Sequence, residues 1–359
     1  MIQDRSDIIL LYLKIITIAV LILCIDRILS MLIGATSLFI PLIIAIFLSI
    51  LLNPLINFLE KFHIPHILAV IITILAAIII IFTIYESIGR SVNTFLNGFS
   101  KYSQKFESLA RRLMDLFGIS PAVLSGELKF LDDPHAAKIM DELSLSGLFY
   151  SILNFLTRFI TQLISVFLFL LFILLGRGQM IDKLKAGFSA STSEKFIEIY
   201  ENVTSQVQKY LGIKTLISFM TSLVVMGVLL LFGVDFVLVW GILTFLFNFI
   251  PNIGSIVASL LPLLFTMIQF ENPILVLWLG ICLVVVQFIF GNILEPKIMG
   301  ERINLSTLVI LFALLFWGFI WGIPGLFLAV PMTVIIKIIF ENIDQLKPIA
   351  VLISGKIKT

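Results

Sequence analysis

The sequence predicts an all-α polytopic membrane protein with about six full transmembrane helices, two re-entrant helical hairpins in an inverted repeat, and a polar helical insert. Three observations carry that reading. Hydrophobic residues fill 60% of the 359 positions, charged residues only 13%, and mean hydropathy is +1.15; a soluble chain carries about 25% charged residues. Several charge-free runs exceed the ~20 apolar residues that span a bilayer. The two longest, 236–270 and 303–336, have helix breakers near their middles.

The elements follow from charges and turn residues. Apolar runs at 8–25 and 28–52 are separated by Asp26 and Arg27, and a third at 67–85 follows the turn NPLINFLEKFHIPH. The leader before the first run is weakly acidic and no A-x-A pattern follows, so no cleaved signal peptide is expected. These residues, 1–85, form an N-terminal transmembrane unit. Residues 86–147 hold eight of the 22 carboxylates, while Phe106, Leu109, Ala110, Leu113, Met114 and Phe117 recur at helical spacing. That pattern predicts an amphipathic helical insert that lies on the bilayer, packs against a neighbouring subunit, or is simply solvated. A fourth span at 148–175 and a polar helical stretch at 176–210 come next, then a C-terminal core at 211–341 and a tail at 342–359.

Within that core, spans at 211–232 and 273–291 each precede a long broken stretch. A straight helix of 34 or 35 residues would be about 50 Å long against a hydrocarbon layer of ~30 Å. Each stretch is too short for two spans and too long for one, so two half-helices meeting at a tip inside the membrane fit best. Broken backbone at that depth is tolerated only where protein buries it or a wet cavity takes its hydrogen bonds. Repetition of span plus hairpin with opposite entry is how secondary transporters build two gates around one site. With both termini inside, the inner segments hold 15 Lys and Arg against 8 outside, as the positive-inside rule requires.

The candidate binding residues sit at those breaks. Asn248, Pro251, Asn252, Gly254 and Ser255 supply amides, a hydroxyl and freed backbone groups, suited to a neutral polyol-like ligand or to a cation held by carbonyl oxygens. The bland alternative is a kink whose polar groups cap one another. Further on, Gln287, Asn292 and Glu295 close the next span. A carboxylate in a partly dry site can exchange a proton for a cation; the alternative is a cytoplasmic loop where Glu295, Lys297, Glu301 and Arg302 pair together. Pro296 and Gly300 fix a turn in either case. Pro324, Gly325 and Pro331 mark the second break as hinge or gate residues, with Gly318 and Gly322 as a G-x-x-x-G packing pair. Asp235 and Glu271 read as interfacial carboxylates, His63 and His66 as solvated turn residues.

Several functions are excluded or unsupported. Net charge is +2, so nothing points to nucleic acid. Cys24 and Cys282 lie in apolar runs and form no disulfide framework. No P-loop, nucleophile elbow or metal cluster is present, so no cofactor, metal site or enzyme activity is implied, and pumping would draw on an ion gradient.

The segments YLGIKTLISF (210–219), FNFIPNIGSIVASLLPLL (247–264), SILLNPLINFLEK (49–61) and QFIFGNILEPKIMGERINLSTLVILFALLFWGFIWGIPGLFLAVPMTVIIK (287–337) resemble the autoinducer-2 exporter family of bacterial and archaeal membrane transporters. The match covers nearly the whole chain. It implies a homo-oligomer, a pentamer by family resemblance, in a prokaryotic cytoplasmic (inner) membrane. It also implies a substrate that is either a small polar solute such as a signalling furanone, or Na+ or Li+ exchanged for H+. A passive channel or a non-transporting scaffold are the competing classes.

Overall fold

A computed structural model describes residues 2–117, 145–270, 272–299 and 305–355. Among the described residues the structure is helical, without strands; an isolated antiparallel bridge joins Leu305 to Ser354. The helices are α1 (Ile2–Gly34), α2 (Thr36–Lys61), α3 (His66–Phe117), α4 (Leu145–Gly187), α5 (Ala190–Leu231), α6 (Val237–Phe247), α7 (Ile253–Gln269) and α8 (Pro273–Phe288). A wider π-helical turn (Ile289–Leu294) then leads into α9 (Glu295–Met299), α10 (Thr307–Glu341) and α11 (Lys347–Ile353). By length and composition five described helices can cross a bilayer, or six if Gln162–Gly176 and Ile181–Gly187 count as one bent span. The protein is an all-α polytopic integral membrane protein, as its composition predicts.

Three boundaries differ from the sequence expectation: α5 runs through the border expected at 210–211, and two more lie nearer the N-terminus. Asp26 and Arg27 do not interrupt the first helix, which runs on to Gly34; neither residue is a helix breaker, and both side chains stand exposed. The expected border at residue 86 is also absent, because α3 continues unbroken for 52 residues. An amphipathic pattern in register with the apolar run before it gives the backbone no reason to stop. The far part of the insert, 118–144, lies outside the described residues, as do Gly300 and Glu271.

The chain divides into two compact units, 49–303 and 1–48 with 304–359. In the larger unit α3 packs on α4, burying Ala69, Val70 and Thr73 from one and Val166, Leu170 and Leu174 from the other. Lipid offers no hydrophobic driving force between helices, so close side-chain packing at this 3–4 spacing holds the pair. His66 ties the same corner, with Nδ1 2.6 Å from Glu60 Oε1 and Nε2 3.2 Å from the Leu174 carbonyl oxygen.

Helices α6 and α7 form a hairpin of 11 and 17 residues, about 16 and 25 Å long. The first arm ends at Phe247 because Pro251 lacks an N–H and cannot continue the ladder. The second starts after Asn252, whose φ of 61° reverses the chain. The arms meet at Gly254, where a Cβ would stand 1.7 Å from the Phe247 carbonyl oxygen.

The smaller unit repeats this joint. Its helix α10 is bent at Gly322 (φ 61°, ψ −139°), a conformation open essentially to glycine alone. The break thus falls two residues before Pro324 and three before Gly325, and Gly322 does more than pack. A Cβ at Gly325 would stand 1.9 Å from the Trp317 carbonyl oxygen, the counterpart of the Gly254 contact. Pro331 is buried inside the second arm. Within this unit the Trp321 indole donates to the Leu32 carbonyl (3.3 Å), anchoring α10 to α1.

These joints generate a prediction. Gly254→Ala should destabilise the detergent-solubilised chain by about 1–3 kcal/mol through overpacking. Gly212→Ala, with nothing within 4 Å of the added methyl, should be neutral or slightly stabilising, since alanine is the better helix former. Thermal unfolding of the two variants side by side measures the difference.

Candidate transport site

Both ends of the α6–α7 hairpin are closed by polar contacts. At the base, the buried Gln269 accepts the Asp235 N–H on Oε1 (2.9 Å) and donates from Nε2 to the Gly233 carbonyl (2.9 Å). One side chain therefore bridges the entry and the exit of the hairpin. From α3, the Tyr102 hydroxyl donates to Asp235 Oδ2 (2.6 Å) and Lys105 donates to the Gln269 carbonyl (2.6 Å). Rings of Tyr102, Phe236, Phe265 and Trp240 surround this clasp with neighbouring centroids 5.4–6.0 Å apart. Burial first, then the hydrogen bond to Asp235, pushes the Tyr102 phenol well above its ordinary range, so it stays a donor at any physiological pH.

At the tip the backbone satisfies itself. The Asn248, Ile250 and Gly254 N–H groups donate to the carbonyls of Thr244, Phe247 and Ile250 (2.8–3.1 Å), and the Ser255 hydroxyl donates to the Asn252 carbonyl (2.9 Å). The Asn248 and Asn252 side chains are not consumed by these turn contacts.

Those side chains face a cavity of about 120 Å³. The tip contributes Asn248, Ile250, Pro251, Asn252 and Ser255; the end of α8 contributes Gln287, and the π-helical turn and α9 contribute Gly291, Asn292 and Glu295. Seven of the eight binding residues chosen from sequence therefore line one space, and Gly254 stands beside it as the packing joint. The cavity's third wall is α5, with Lys214, Ile217 and Thr221. Lys214, 4% exposed within an apolar helix, donates to Glu295 Oε1 (2.5 Å).

Glu295 is thus neither a free carboxylate nor paired in a loop with Lys297. It belongs to an ion pair between two helices. Pro296 sits inside helix α9 rather than in a turn. Its ring clashes with the carbonyl four residues back, Asn292, and the helix opens to π geometry over Ile289–Leu294. That widening sits where Asn292 and Glu295 enter the cavity.

Four buried polar atoms in and near this region have no hydrogen-bond partner: Thr215 Oγ1, Ser218 Oγ, Thr244 Oγ1 and Gln287 Nε2. Of these, Gln287 lines the cavity. An unpaired buried donor is worth about 1–3 kcal/mol to whatever acceptor reaches it.

The sequence reading leaves Lys214 at the inner end of the 211–232 span and does not choose it as a site residue. The signal is present nonetheless: Lys214, Ser218, Thr221 and Ser222 recur at i, i+4, i+7 and i+8, a polar stripe on an apolar helix. Gln269 carries no comparable signal, since a lone glutamine at a helix end reads as an ordinary interfacial residue.

A polytopic helical protein with a hairpin of two short apolar helices and a polar cavity at its tip has the build of a membrane transporter. The chain belongs to the family described as AI-2E family transporter, which matches residues 11–345. Over 256 residues it is 38% identical to the AI-2 transport protein TqsA of Escherichia coli K12, covering 70% of this chain and 68% of that one. A putative transport protein of Borreliella burgdorferi is 40% identical over 224 residues, 61% of this chain and 62% of its own length. The putative transport protein YhhT of Escherichia coli K12 is 35% identical over 170 residues, 47% and 48% of the two chains.

Breaking the buried pair one side at a time gives a second prediction. Lys214→Met alone should lower stability by about 3 kcal/mol, because it strands the Glu295 charge. Adding Glu295→Gln should restore most of the loss. Unfolding of the two single variants and the double variant completes the cycle.

Proposed function

We propose that this protein is a secondary transporter that carries a small polar solute through the cavity formed by α5, the α6–α7 tip and the π-helical turn, by alternating access. The observation that carries the reading is the convergence of Asn248, Asn252, Gln287, Asn292 and Glu295 with Lys214 in one cavity inside apolar helices. Polar groups this expensive in lipid are kept where a solute replaces their missing partners. In this reading the hairpin is re-entrant and the bends at Pro296 and Gly322 are hinges, with Pro324, Gly325 and Pro331 shaping the second one.

The donors favour the class of solute. Gln287 offers a free N–H, and Lys214 already neutralises Glu295. Such a cavity suits a ligand rich in acceptor oxygens, a neutral polyol or furanone, better than a bare cation. The name of the 38% identical relative, an AI-2 transport protein, agrees with that class. Cation exchange for protons is the second reading, favoured by the Glu295 carboxylate: an incoming Na+ or Li+ would displace the Lys214 ammonium.

The test is reconstitution in vesicles with labelled polyol or furanone and an imposed pH gradient. Saturable uptake is expected, reduced at least about tenfold by Gln287→Leu, which removes a hydrogen bond worth about 1.4 kcal/mol. Collapse of the pH gradient by Na+ or Li+ alone, abolished by Glu295→Gln, would replace the solute reading with cation exchange. Conductance far above carrier rates would indicate a pore.

A further inference from the structure

A second concavity in the same unit has no place in the transport reading. Between α7 and α8 runs a groove of about 1070 Å³. It starts at the hairpin base with Lys105, Ser108 and Phe270, and its walls are apolar, with Leu260, Leu263, Leu277 and Val284 among them. It ends at Ser255, Gln287 and Asn292, which line both the groove and the polar cavity. From Phe270 back to Ser255 the rise along α7 is about 22 Å, somewhat more than the ~15 Å of one hydrocarbon leaflet.

Among the described residues Lys105 is the one charged residue lining the groove, and it stands at the end marked by the hairpin base. Its ammonium gives one hydrogen bond to the Gln269 carbonyl and has no ion pair among the described residues. Two of its three N–H donors remain. A trough with a single cation at its interfacial end, apolar for the depth of a leaflet, has the charge and shape of a lipid site.

We propose that the groove is a binding site for a phospholipid of the surrounding bilayer, its phosphodiester on Lys105 and one acyl chain laid between α7 and α8 as far as Gln287. The seated chain walls the polar cavity off from the hydrocarbon at the three shared residues. The proposal is independent of what the cavity carries, and its test involves no transported solute.

Full-length protein is placed in nanodiscs of phosphatidylethanolamine and phosphatidylglycerol containing a trace of phosphatidylglycerol with a photoactivatable acyl end. After illumination the labelled peptides are identified by mass spectrometry. Saturable label on the α7 and α8 peptides, displaced by unlabelled phospholipid, is the expected result. Lys105→Gln should reduce lipid retention about fivefold, the effect of one interfacial cation. Val284→Trp, which fills the groove from a side chain 62% exposed, should remove most of the label, and it carries the test if Lys105→Gln loosens the hairpin base. Label spread evenly over every exposed apolar helix and indifferent to Val284→Trp means annular lipid only and overturns the proposal. Crosslinking of the groove to a second copy of the chain overturns it as well.

Discussion

Inside a bilayer a backbone N–H or C=O has no water to turn to, and most of this architecture follows from that. A straight helix satisfies the rule without help. The α6–α7 hairpin, broken in a charge-free run, satisfies it by closing its own turn: Asn248, Ile250 and Gly254 donate back along the chain, and Gln269 clamps the two ends. With the backbone settled locally, the asparagine side chains at the tip are released for the cavity. The wide turn after α8 solves the same difficulty differently, by spreading the distortion from Pro296 over six residues instead of ending the helix.

Charge is handled by the same logic. Lys214 and Glu295 come from helices far apart in sequence and meet as a pair, so neither is buried alone. Such pairs contribute little net stability, since desolvation of two ions offsets most of their attraction. Their value lies in register: the pair fixes α5 against the π-helical turn at the depth of the cavity. The hydroxyls of Thr215 and Ser218, without hydrogen-bond partners, stand on the same stretch of α5 as Lys214.

Much of this was legible in the residues. Breakers inside charge-free runs located both bends, and the rarity of amides and carboxylates in such runs picked out seven cavity-lining residues. What escaped detection was whatever depends on partners distant in sequence. Lys214 reads as an ordinary charge at the end of a span until Glu295 is placed beside it, and Gln269 reads as an interfacial amide until the chain returns to Asp235. Helix ends were the other weakness. A pair of charges at 26 and 27 reads as a boundary, yet lysine, arginine and acidic side chains do not stop a helix; the chain turns only after Gly34. Likewise α3 holds no proline where its character changes, Gly89 alone does not stop it, and the helix continues to Phe117.

That unbroken helix has a mechanical consequence. From His66 to Tyr102 the rise is about 54 Å, and Tyr102 and Lys105 grip the base of the hairpin directly. A rod of this length acts as a lever: a tilt of five degrees at its root sweeps the grip through about 5 Å, roughly one helical turn. A movement too small to disturb the packing of α3 on α4 is therefore magnified where the hairpin is held.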